Sequence, residues 1–569
     1  MINRIKKKQL ISFTITLILA SVLLSQISDN GTIAETNTDL GLKLQYWTEG
    51  IIISDANISA LSSSGTGVID DPYIISNLNM NTTAGNAIDF DGVSQSTYWV
   101  LRDSHIIGRG TYGVYISDNM SGKGSIINCT IEADLSIGTP NAKYLTVHNN
   151  TLIYAQGSNY NKGLIFTNNI IQTTSTYSNH LMRVRNEDNI VKNNVFYGNN
   201  SQVNFQNLVN STIENNEFHS AGIYLYNNNI AETSNNTFSN NLIDGKPFGF
   251  FLNRTGETIN GNQYGQIYLM NCINTKIEGQ SLSGSNFGMQ IHNCTGITVD
   301  NVEVSGKSGI EIKDSDGILI KNSILEGFDK GMVITSVNNL VIQNNELTGF
   351  AYGIDTFYVD EMLFCNNTLL DMQEVGVDLE DTNNVVIKFN IITINVVTPG
   401  YELGLNFWIC ENMSIYYNVF ISLGNTTAHP VEGNSATNVM WYDETLEVGN
   451  HYSDWNGTGT YSILGTAGSI DLYPWRDIDG DNLTEWQEVM VYHTSPFEAD
   501  TDGDGFDDYT EIQEGTDPLN PKDYPGRGRV VGIVLGILFG LGIPVGLVFF
   551  ARTEKGMNLS KKIQAKLKK

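Results

Sequence analysis

One pattern, apolar-x-Asn-Asn-x-apolar, returns along the chain at a spacing that leaves few folds open. It stands as VHNNTL at 147, VKNNVF at 191, IENNEF at 213, IQNNEL at 342 and FCNNTL at 364. Looser copies are IINCTI at 126, FTNNII at 166, VDNVEV at 299, IKNSIL at 320 and IKFNII at 387. The steps from 299 through 320, 342 and 364 to 387 are 21, 22, 22 and 23 residues. A second pattern, Gly-apolar-x-apolar, precedes the first: GIEI at 309, GMVI at 331, GIDT at 353, GVDL at 376 and GLNF at 404. Each unit offers two or three runs of period-2 alternation with Asn/Gly turns between them, and no stretch has helical periodicity. So small a unit cannot bury its apolar face alone, so neighbours must stack. The expected fold is all-β: a right-handed parallel β-helix of about 22-residue coils over 45–425. Asn suits the corners because it tolerates left-handed backbone and can hydrogen-bond along a stack. Leucine-rich repeats have a similar length, but their Leu spacing is missing.

The repeat also sets which side chains share a column. Aligning the Gly-apolar-x-apolar strands puts Gln290, Glu311, Val333, Asp355, Asp378 and Asn406 in one outward column. Two residues on, His292, Lys313, Thr335, Phe357, Glu380 and Trp408 form another. With coils about 4.8 Å apart, Asp355 and Asp378 stand together, Glu380 lies beside them, and Phe357 and Trp408 flank them. Paired carboxylates at that spacing serve glycosidases, and aromatic faces stack on sugar rings. Asp355, Asp378 and Glu380 are therefore the candidate catalytic residues, with a solvated acidic face as the plainer reading. Lyase chemistry would want a base near a uronate; Lys313 is a candidate, while Arg183 and Arg185 lie several coils away. Cys272 and Cys294, offset by 22, also meet on adjacent coils at a separation compatible with a disulfide. Their column continues as Ser315, Val337, Val359, Thr382 and Cys410, so small size explains it equally well. Five cysteines are too few and too scattered for a disulfide scaffold.

The ends bear on the compartment. Arg4, Lys6, Lys7 and Lys8 precede an apolar run from Leu10 to about Leu24, the layout of a secretory signal over 1–28; an uncleaved anchor is the alternative. Val530 to Phe550 is 21 residues without a charge, long enough for a membrane span at 530–550. The tail 551–569 holds seven Lys/Arg and one Glu, which expects a cytoplasmic C-terminus. The expected location is the cell surface, as a single-pass protein with its bulk outside. Formal charge is −29; residues 1–28 carry +4 and 551–569 carry +6, which leaves the rest near −39. That balance argues against nucleic acid and suits cations. Sequons at Asn57, Asn81, Asn210, Asn253, Asn366 and Asn456 would carry glycans only in a host with the machinery.

The acidic residues concentrate before that span. From Asp500 the chain reads D-x-D-x-D-G-x-x-D-x-x-E: Asp500, Asp502, Asp504, Gly505, the Phe506 carbonyl, Asp508 and Glu511. These are the positions by which an EF-hand-like loop surrounds Ca2+ with oxygens. The same frame fits Asp477, Asp479, Asp481, the Leu483 carbonyl, Glu485 and Glu488, with Asn482 at the turn in place of Gly. Two calcium-binding loops are expected over 477–525, against the alternative of a solvated linker.

Two resemblances follow. The opening GTGVIDDPYIISNLNM (Gly65 to Met80) and closing GNHYSDWNGTGTYSILGTAGSIDLYPW (Gly449 to Trp475) look like the flanks of NosD-like β-helix proteins. The resemblance covers Gly65 to Trp475, makes 426–476 a closing segment, and implies the fold far better than the activity. NosD is associated with copper delivery to nitrous oxide reductase, but no His/Met/Cys cluster with ligand spacing is present here. The tail GTDPLNP after the second loop resembles bacterial thrombospondin type 3 repeats, and by that resemblance Asp517 adds a ligand. A dockerin pair is the rival. The leading expectation is a membrane-anchored, calcium-stiffened surface protein whose β-helix binds glycans, an adhesin or envelope component. The alternative is a polysaccharide lyase or glycoside hydrolase working through the acidic face, and a weaker one is a maturation factor for an exported metalloenzyme. Whether there is catalysis stays open.

Overall fold

The computed structural model describes residues 45–525, apart from 84, 95, 117–122, 139–143, 155–157, 161, 174–179, 227–232, 396–402, 424–430 and 476. The described chain is a right-handed-type parallel β-solenoid of about 14 turns. Its registers follow the repeat: Ile320 pairs with Ile342, Ile342 with Phe364, and Phe364 with Ile387.

The paired asparagines divide their labour. The first takes left-handed backbone at a corner, as at Asn149, Asn168, Asn193, Asn215, Asn344 and Asn366, with φ between 53° and 58°. That turn aims the second inward, where it is buried. Asn367 accepts from the Asn345 backbone N–H and side-chain amide, at 3.0 Å each. It donates to the Ile342 carbonyl at 2.9 Å and to Asn390 at 3.0 Å. The ladder continues through Asn418 to Asn450 and ends on buried Asp471, whose carboxylate accepts from the Asn450 N–H at 2.8 Å. Where the first Asn is replaced, Phe389 and Tyr417 hold the same left-handed angle. Cys272 and Cys294 belong to a second inward column; they are free thiols, the Cys272 N–H donating to Cys294 Sγ at 3.4 Å.

The solenoid has two cores. One runs from Ile53 to Ile243 and the other from Ile259 to Ile463. Between them Leu242–Ile243 pairs antiparallel with Lys246–Pro247, so the chain reverses there. Tyr268 and Met270 of the second solenoid then plug the core of the first. The strand Glu217–Tyr226 pairs with Leu242–Ile243 at Glu217 and Phe218, and further along its edge is met by side chains. Gln266 accepts from Ile223 N–H at 3.0 Å and donates to its carbonyl at 2.6 Å. Gln290 does the same with Leu225, at 3.2 and 3.4 Å. At the other end Trp441, Tyr452 and Tyr461 close the second core, the two tyrosine rings stacked at 3.8 Å.

The expected fold class is corrected in one part. No helix among the described residues is long and apolar enough to cross a membrane. The longest is Asp508–Glu514, seven residues with two buried carboxylates. The expected span, 530–550, lies outside the described residues, as do 1–28 and 551–569.

Candidate functional site

Two places gather chemistry: the paired acidic loops and the outward columns of the second solenoid. The loops share one backbone scheme. Asp477 accepts from Gly480 and Asn482 N–H groups at 2.7 and 3.0 Å, and Asp500 from Gly503 and Gly505 at 2.9 and 2.8 Å. Both turns need positive φ at the sixth position, where Gly505 has 100° and Asn482 has 79°. Asn is therefore tolerated there by its backbone. Leu483 and Phe506 N–H groups bond Asp481 and Asp504. Each loop then runs into a short helix, capped by Thr484 or by Asp507.

Ligand oxygens converge in three groups, each within 4.8 Å: Asp477, Asp479 and Asp481; Asp500, Asp502 and Asp504; and Asp481, Glu488 and Asp508. The third was not foreseen, because it is made between the loops. Asp508 also holds its own loop, accepting from Thr501 N–H and hydroxyl at 3.0 and 2.6 Å. Glu485 belongs to none of the three groups; its carboxylate lies 3.0 Å from His451 Nδ1 at the end of the solenoid. Glu485, Glu488, Asp508 and Glu511 are fully buried. Oxygens of Asp479, Glu488, Asp502, Asp504 and Glu511 are buried without a hydrogen-bond donor.

Such an arrangement is costly for an anion by itself. Burial, with the neighbouring carboxylates adding, pushes Glu488 up to about 9 and Asp479 and Glu511 to about 7. Asp502 rises to about 6 for the same reasons. A hard divalent cation would supply the missing positive charge, and an all-carboxylate donor set is what such an ion takes. No group containing His or Cys that could hold a metal occurs among the described residues, so these residues do not fit copper.

On the second solenoid both predicted columns are in register. Asp355 pairs with Asp378 and Asp378 with Asn406, while Phe357 pairs with Glu380 and Glu380 with Trp408. Lys330, which the column alignment missed, lies 2.5 Å from Asp355 and 5.3 Å from the Tyr352 ring centroid. Lys330 starts its strand immediately before GMVI, in register with Tyr352. Asn406 donates to Asp378 at 2.8 Å. Burial first, then Asp355 and Glu380, push the Asp378 carboxyl above its usual range. Trp408 and Tyr358 are about half exposed, and the Phe357 and Tyr358 rings lie 3.9 Å apart.

The same columns hold a correction at their other end. Gln290, His292 and Glu311 are not exposed; the first solenoid covers them. Tyr224 donates to Glu311 at 2.7 Å, while Gln290 and His292 contact the other Glu311 oxygen at 2.6 and 2.9 Å. The outward face thus begins only at the next coil.

Residues 252–457 match the family described as periplasmic copper-binding protein (NosD), and residues 500–521 match the bacterial TSP3 repeat. The first match is narrower than Gly65 to Trp475, and the second takes in only the second loop. No curated protein matches. Among solved structures, a tailspike mutant of E. coli bacteriophage HK620 is 12% identical, with a TM-score of 0.23 over 69% of this chain and 71% of that one. Tailspike protein 3 of bacteriophage CBA120 is 12% identical, with a TM-score of 0.19 over 67% and 61%. Likenesses this slight say nothing of a ligand.

Proposed function

From a chain that carries a NosD-family β-helix segment and a bacterial TSP3 repeat, we propose an exported glycan-binding protein with a calcium-dependent C-terminal module. It acts outside the cytoplasm as an adhesin or envelope component. The observation that carries the reading is the outward ladder of Asp355, Asp378, Glu380 and Asn406 beside Tyr352, Phe357 and Trp408. Carboxylates and amides that bond sugar hydroxyls, next to exposed rings that take the flat face of a pyranose, make a carbohydrate surface. The acidic loops hold Ca2+ through Asp477, Asp479 and Asp481, through Asp500, Asp502 and Asp504, and through the buried acids between them. The ion neutralises carboxylates that the fold otherwise forces together.

One observation favours hydrolysis as the second reading. Asp378 is raised while its neighbour Asp355 is ion-paired to Lys330, the asymmetry that separates a general acid from its partner carboxylate. Incubation of the full-length protein with neutral and uronic polysaccharides in millimolar calcium, followed by sizing of the chains, decides between them. Retention without shortening, weakened about tenfold in Trp408→Ala, is expected for binding. Shortened chains that disappear with Asp378→Asn would make the protein an enzyme, and no retention of any polysaccharide would remove the glycan reading.

A further inference from the structure

The last coils of the first solenoid carry a basic face in a chain of formal charge −29. In the strand His180–Glu187, Met182 and Val184 are buried in the core, so Arg183 and Arg185 point outward. Arg183 is in register with Asn204 on the next coil and Arg185 with Gln206; those two are in register with Tyr224 and Tyr226. Burial first, then the neighbouring Arg185 guanidinium, lowers Arg183 from its ordinary value. His180 senses both: burial first, then the two arginines, push it down to about 4, so it is neutral at pH 7.

Neither arginine forms an ion pair among the described residues, whereas Lys162, Lys192, Lys276, Lys307, Lys321 and Lys330 each pair with a carboxylate. Arg185 Nε and Asn204 Oδ1 are buried without a hydrogen-bond partner among those residues. Unsatisfied polar atoms under a like-charged pair are unfavourable unless something else reaches them. The face also has walls. The Tyr224 ring lies 5.8 Å from Phe287 and its hydroxyl is tied to Glu311, both on the second solenoid, so the face ends in an inside corner where the solenoids meet. Tyr226 is 42% exposed and lies 5.9 Å from the Tyr224 ring, giving that corner an open aromatic surface.

We propose that Arg183, Arg185, Asn204 and Tyr226 form a binding site for an acidic sugar, the arginines taking its carboxylate and Tyr226 stacking on its ring. The planar guanidinium fork matches a carboxylate in two parallel hydrogen bonds, and the unpartnered Asn204 Oδ1 can accept from a hydroxyl of the same sugar. This site deepens the glycan reading above and rests on it in taking the ligand to be a carbohydrate. It lies apart from the acidic ladder and selects the opposite charge, so one chain would hold neutral segments on one solenoid and acidic residues of the same polymer on the other.

Calorimetric titration of the full-length, calcium-loaded protein with hexagalacturonate tests it. Saturable binding is expected, weakening as NaCl is raised because the contact is ionic. Arg183→Gln and Arg185→Gln are each expected to lose roughly tenfold or more in affinity. Arg185→Lys should fall between, keeping the charge without the fork. Retention of neutral polysaccharide should be unchanged in all three variants. Wild-type affinity for hexagalacturonate in both Gln variants, with unaltered melting temperatures, would overturn this site and leave the ladder reading standing, as would absence of hexagalacturonate binding in a protein that retains neutral chains. Hexagalacturonate binding that depends on the arginines, in a protein that retains no neutral polysaccharide, would instead remove the ladder and keep this site.

Discussion

Asn366 and Asn367 are neighbours of one residue type with different jobs, and their substitution should show it. Asn366 is exposed and holds φ at 53°, so Asn366→Ala loses only the tolerance for left-handed backbone, about 1 kcal/mol. Asn367→Ala takes the acceptor from the buried Asn345 N–H and from one of the two Asn345 amide bonds, and a donor from the Ile342 carbonyl. That should cost about 2–4 kcal/mol, read as a larger fall in the urea midpoint. Equal shifts would contradict the division of labour. The pair was legible in the sequence because both properties belong to Asn. Lys330 was not, since nothing in the Gly-apolar-x-apolar pattern marks a strand's first residue as part of the neighbouring column.

At the scale of the element, the acidic module should depend on both calcium and pH. Four of its carboxyls bind protons more tightly folded than unfolded, with Asp502 at about 6, Asp479 and Glu511 at about 7 and Glu488 at about 9. The sign follows: without an ion the folded module is favoured in acid, and it loses stability as pH rises from about 4, the unfolded carboxyl value, through that range. Amide hydrogen exchange across 477–523, corrected for intrinsic rates, should therefore be fast in chelator at pH 8. Protection should return at pH 5 or on adding millimolar calcium. Calcium-independent protection at pH 8 would sink the cation reading. The spacing of acids made both loops legible in sequence. The partners of Glu485 and Asp508 were not, because each is set by packing against a neighbouring element: the solenoid end at His451, and the first loop at Asp481 and Glu488.

The whole molecule depends on a junction that the repeat does not encode. Coil-to-coil register follows from a 22-residue offset, but the covering of Glu311 by Tyr224 spans 87 residues and arises from the reversal at Leu242–Lys246. Gln266→Leu removes three hydrogen bonds, two to Ile223 and one to the Phe287 carbonyl. It should cost about 2–4 kcal/mol and split thermal unfolding into two transitions as the solenoids uncouple. A single, unshifted transition would contradict that coupling. The same two glutamines have a further consequence. Parallel coils ending in an unpaired strand are a template on which another chain can grow, as fibrils do. Amides that bond Ile223 and Leu225 as a strand would, yet offer no edge of their own, turn a growing end into a finished one. Replacing them would expose a seed, and the first sign of a failed junction would be polymer rather than unfolded chain.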